Sequence, residues 1–79
     1  MRLNELSPGS EAIIDHIEDR EADDVVAVRL RELGFVPGEP VRIIAFGPFG
    51  ADPVAVKIGF TRFALRRVEA SRVVLRDAA

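Results

Sequence analysis

At 79 residues the chain has room for one small domain and no second. It has no cysteine and a single histidine, His16, which excludes disulfides, thiolate metal sites and a zinc site built on histidines alone. It is 48% hydrophobic and 30% charged, the composition of a folding chain rather than a disordered one. A domain this short buries only roughly 60% of its unfolded surface, so stability must come from an efficient apolar core, with self-association as a further source. No apolar run approaches the ~20 residues of a membrane span. The start, Met1-Arg2-Leu3-Asn4-Glu5, carries no secretory apolar region, so a cytoplasmic location without membrane insertion is expected. The net charge of −2 conceals a split: residues 1–39 hold ten acids against four arginines, and residues 40–79 hold three acids against seven bases. Such a split fits either ion pairs across strands or a charged partner, and the first is favoured.

Ser7-Pro8-Gly9 reads as a turn, with proline presetting φ and glycine permitting a positive one. Glu11 to Ile17 is β-branched at three positions and reads as a strand. Glu18 to Asp24 is an acidic connector. Ala22, Val26, Leu30 and Leu33 then fall on one face of a 3.6-residue period, which predicts a helix over 25–33. Asp23 and Asp24 suit its N-cap and the positive end of its dipole, and Gly34 suits the left-handed C-cap. Phe35-Val36-Pro37-Gly38 reads as a turn. Val41 to Phe46 is a strand, 47–53 a loop, and Val54 to Ile58 an alternating strand. Gly59-Phe60 fits a two-residue hairpin turn and Thr61 to Leu65 its return strand. Residues 67–71 read as a short helical turn and Arg72 to Leu75 as a last strand. The pattern is all-β with one helix inserted after the first strand, and predicts a small barrel closed so as to leave little exposed edge. No linker or repeat divides it, so residues 1–79 are expected to form one domain.

Catalytic chemistry finds little support. Ser7, Ser10 and Ser71 have only His16 as a base, and no G-x-S-x-G, GxxxxGK[ST] or GxGxxG pattern occurs. No enzymatic activity and no cofactor are expected. Glu21, Asp23 and Asp24 are the weak candidates for a transition metal ion. They lack the spacing and glycine of a calcium loop, and solvating a connector and starting a helix account for them better. Nucleic-acid binding has Arg62, Arg66, Arg67, Arg72 and Arg76 in its favour. Against it stand a pI near 5.3 and the absence of tyrosine and tryptophan.

A protein partner is the better expectation. Of the five phenylalanines, Phe35 and Phe46 are expected in the core, and Phe49 and Phe60 at turn tips. Phe46, Pro48, Phe49 and Phe60, with Arg29 and Arg31, are the candidate partner-binding residues; capping the barrel ends is the alternative role for the aromatics. Arg29 and Arg31 lie about 200° apart on the helix, so one can pair with the acidic connector while the other faces outward.

Several motifs together resemble a known family. Leu6-Ser7-Pro8-Gly9-Ser10-Glu11-Ala12 opens like it. Arg29-Leu30-Arg31-Glu32-Leu33-Gly34-Phe35-Val36-Pro37-Gly38 resembles its R-L-x-E-L-G-F-x-P-G signature, and Asp52 to Val56 and Ala64 to Ala70 complete the order. The chain is similar over nearly all its length to the ferrous iron transport protein A (FeoA) family. That resemblance implies an SH3-like barrel and a cytosolic accessory protein of bacterial ferrous iron uptake. It further implies work with FeoB, a membrane permease carrying a GTPase domain. The same fold forms the C-terminal domain of iron-dependent repressors, which leaves a repressor-associated or nucleic-acid module as the alternative. The loop 47–51 is a variable region in the family, so a partner role there is not inherited from a motif.

Overall fold

The computed structural model describes residues 1–50 and 52–76. Strands β1 (Glu11–Ile17), β2 (Pro40–Phe46), β3 (Val54–Ile58), β4 (Thr61–Leu65) and β5 (Val73–Leu75) form one antiparallel sheet in the order β4-β3-β2-β1-β5. Helix α1 (Val25–Leu33) joins β1 to β2, and a one-turn helix α2 (Arg67–Ala70) joins β4 to β5. Ala51, expected in the loop between β2 and β3, lies outside the described residues.

The strands form the expected small β fold with one inserted helix, although hydrogen bonds do not close the sheet on itself. Among the described residues β4 pairs with β3 alone and not with β5, so the ladder has two edges. The β5 edge is sealed by the start of the chain: Arg2 bridges Val74, and Leu75 N–H donates to the Met1 carbonyl at 2.8 Å. A 3₁₀ turn over Leu3–Glu5, which the sequence did not signal, carries Leu3 to full burial.

Alternation places Val54, Val56 and Ile58 of β3 and Val41 and Ile43 of β2 on the inner face, and a register shift between Ile14 and His16 lets Ile14 and Ile17 of β1, three residues apart, both turn inward. Each such side chain contributes about 1.5–3 kcal/mol by leaving water. The helix buries Ala27 and Leu30, with Val26 and Leu33 packed beside them. Ala22 does not share that face, contrary to expectation. Asp23 turns the chain with φ 56°, Asp24 caps the helix, and Ala22 stays exposed outside it. Gly34 closes the helix at φ 109°: its N–H donates to Arg31 O and Phe35 N–H to Leu30 O. This is a Schellman ending, and it drops Phe35 into the core against Leu30 and against the Phe63 ring, 5.5 Å away. Phe46 departs from the expected core position and is 37% exposed. The bulge between Ile43 and Ala45 sets Phe46 opposite buried Val54, but as the last residue of β2 it stands at the rim of the sheet and is only partly covered.

Candidate functional site

The acidic connector is largely consumed by arginines. Glu18 accepts from Arg2 at 2.7 Å and Arg20 at 3.1 Å, and these two guanidiniums, Arg2 first, hold its carboxyl below the usual range. Asp19 takes both terminal nitrogens of Arg31, at 3.0 and 2.7 Å, and is lowered by that contact, while the Arg31 pKa is raised. Arg31 also donates to the Ile17 carbonyl. Of the two helix arginines, Arg31 therefore binds the connector, and Arg29 faces out.

Asp24 is the most committed of the weak metal candidates. It is 1% exposed. One carboxylate oxygen accepts from Val26 and Ala27 N–H at the helix start, and the other from Arg20 N–H and Arg72 Nε, at 3.0 and 2.9 Å. The Arg20 amide and the Arg72 guanidinium, in that order, hold its carboxyl far below the usual range. Both oxygens are thereby occupied. Glu21 and Asp23 are exposed beside it. Among the described residues no three histidine, aspartate or glutamate side chains converge as a metal-holding group. His16 lies on β1 beside Asp15, at 2.6 Å, with its side chain half exposed.

The candidate partner residues do not form one patch. Phe46 ends β2, and Phe49 is 82% exposed in the loop that follows, with Pro48 beside it. Arg67 pins this loop: its N–H donates to Asp52 Oδ1 at 3.1 Å and its guanidinium to the Gly50 carbonyl at 3.2 Å. Phe49, Asp52, Pro53 and Arg66 line a shallow cleft of about 460 Å³. Arg29 reaches Glu69 on α2 at 3.7 Å with its own side chain 66% exposed, and Glu69 in turn accepts from Arg66 N–H. Phe60 is fully exposed at the other end of β3, one strand length, about 17 Å, from Phe46. Sequence reasoning overlooked Arg42 and Lys57 and weighed Arg62 only for nucleic acid, yet register places the three directly opposite one another on the outer face. Spacings of 15 and 5 residues reveal nothing until the turn and the bulge are known. No helix is long and apolar enough to cross a membrane.

The comparisons with known proteins converge. A family model described as the FeoA domain matches residues 1–77. A crystal structure of Stenotrophomonas maltophilia FeoA complexed with zinc, described as a procaryotic SH3 domain protein, is 53% identical, with a TM-score of 0.89 over 96% of this chain and 89% of that one. The solution structure of iron(II) transport protein A from Clostridium thermocellum is 36% identical, with a TM-score of 0.81 over 95% of this chain and 44% of that one. The curated Fe(2+) transport protein A/Fe(2+) transporter FeoB fusion protein of Porphyromonas gingivalis is 36% identical over 73 residues, covering 92% of this chain and 8% of the fusion. The chain thus spans a small fraction of that curated relative. Its fold is mostly β and SH3-like, and the chain belongs to the FeoA domain family.

Proposed function

We propose that this chain is a cytoplasmic accessory protein of ferrous iron uptake that binds and regulates a FeoB-type permease through its GTPase portion. The observation that carries this is the fusion relative, in which a segment 36% identical to this chain is covalently joined to a FeoB transporter. Fusion holds two partners at a high effective concentration, an arrangement useful to proteins that act together. Docking, rather than chemistry, is what the surface offers: the buried carboxylate is committed to an arginine and a helix cap, and no reaction is assigned to the chain. The pole formed by Phe46, Pro48, Phe49, Arg66 and Arg29 is the face offered to the permease. It combines an exposed aromatic anchor with arginines, the residue types that dominate binding at protein interfaces.

Titration of the purified chain against the matching FeoB cytosolic domain, without nucleotide and with GDP or a GTP analogue, tests the assignment. Binding in at least one nucleotide state, weakened tenfold or more by Phe49→Ala, is expected. Absence of binding in every state, with iron uptake normal after deletion of the gene, refutes it.

A further inference from the structure

The outer face of the sheet carries a ladder of four charged residues in one cross-strand row. Glu11 on β1 stands opposite Arg42 on β2, Arg42 opposite Lys57 on β3, and Lys57 opposite Arg62 on β4. Glu11 answers Arg42, loosely, at 3.7 Å. Among the described residues Lys57 and Arg62 have no carboxylate partner. Like charges directly opposite on neighbouring strands destabilise a sheet, so three cations in register lower the stability of this one. Glu11 and Glu39 lie at the β1 and β2 side, around a cleft of about 370 Å³ shared with Pro40, Arg42, Lys57 and Gly59. Positive charge therefore accumulates toward β4.

That end of the row is also where the backbone is open. Gly59 (φ 57°) and Phe60 form a two-residue hairpin turn, so the flanking pair Ile58–Thr61 is hydrogen-bonded. Alternation makes Val56–Phe63 and Val54–Leu65 bonded as well. The N–H and C=O groups of Arg62 and Ala64 then point away from β3, and no strand lies on that side among the described residues. The opposite edge of the sheet is sealed by the Arg2 bridge, whereas this one is left as a template for pairing.

From the coincidence of an open β4 edge with the Lys57–Arg62 cations, we infer that this edge takes an extended acidic peptide of a partner protein as a sixth strand. Residues of an added strand alternate faces, so one outward carboxylate stands directly opposite Arg62 and continues the cationic row, those two residues to either side lie on its diagonals, and the residues between them extend the inner face beside half-buried Phe63. Phe60, fully exposed at the hairpin tip, borders the end of the same edge. Charge complementarity singles out an acidic partner. This surface is separate from the Phe49 pole, so loss of binding at one leaves the other intact.

The probe is a fluorescein-labelled nine-residue peptide with glutamate at alternate positions and threonine or valine between, compared with the same peptide carrying glutamine. Anisotropy at low salt should show the glutamate peptide binding about tenfold tighter than the glutamine one, with affinity falling as salt rises. Amide shifts and slowed hydrogen exchange should centre on Arg62 and Ala64. Ala64→Pro removes one edge donor and no charge, and should abolish binding; melting checks that it folds. Lys57→Gln with Arg62→Gln should weaken binding about tenfold without lowering the melting temperature, a combination that a structural role for these cations would not give. Equal affinity for the two peptides, or shifts confined to other strands, overturns the inference. So does a self-dimer that Ala64→Pro dissolves, which assigns the edge to a second copy, or a single-stranded oligonucleotide that outcompetes the peptide.

Discussion

Replacing Gly34 by alanine isolates the backbone geometry at the end of α1. Gly34 sits at φ 109° and no heavy atom lies within 4 Å of where an alanine Cβ would stand, so the penalty is torsional rather than steric against neighbours. Holding an L-residue in the left-handed region costs about 1–2 kcal/mol. Alanine also removes freedom from the unfolded chain, which returns about 0.4–1 kcal/mol. The difference is a net destabilisation of about 1 kcal/mol, and for a domain of this size that lowers the melting temperature by about 4–8 °C. Thermal melting followed by circular dichroism reads the shift, and urea titration should give a lower midpoint at unchanged slope. Gly34→Asn should fall between the parent and Gly34→Ala, because asparagine tolerates left-handed backbone. A Gly34→Ala protein melting within about 1 °C of the parent would show that the Schellman ending does not require glycine here.

Other outcomes follow from the packing and the charges. Leu30→Ala, which empties a buried position near the helix ending, should cost about 2–5 kcal/mol and lower the melting temperature by at least about 8 °C; calorimetry decides. Asp24→Asn keeps a good N-cap but loses the charge facing Arg72. Because the folded Asp24 carboxyl lies below its ordinary value of 3.8, its stabilisation is present above that value and is lost as pH falls below it. The parent should therefore lose stability more steeply than Asp24→Asn in melts taken from about pH 4 down to pH 2; parallel curves would deny the linkage. Phe49→Ala and Phe60→Ala should each leave stability within about 0.5 kcal/mol of the parent, since both rings are solvated. Only the first should impair binding to the permease domain in a pull-down.

The sequence was most informative where the signals are local. The bounds of β1, α1, β3 and β4 follow from alternation, from the Asp24 cap and from the two-residue turn at Gly59-Phe60, all contained within a few residues. The 3₁₀ turn at Leu3–Glu5 is too short to show a period, and Phe46 was misplaced because an apolar run does not show that the strand ends there, at the rim of the core. The candidate site was less legible for a related reason. Asp24 announces itself as a cap, yet its ion pair with Arg72 spans 48 residues and exists only once β5 is seated. Phe49 and Phe60 share a residue type and exposure, but the length of β3 holds them at opposite poles. The cationic row needed two strand registers before its members could be seen as neighbours.

The difference between the two sheet edges has a consequence for assembly. A subunit with two open edges can grow into a chain of unlimited length, as a bifunctional monomer does in a condensation polymer. Here the bridge from Arg2 to Val74 blocks one of the two ends. Among the described residues the fold is monofunctional: a strand added at β4 finds no second open edge on the far side, and edge pairing between copies stops at two. That arithmetic leaves the β4 edge open without the hazard of fibre growth.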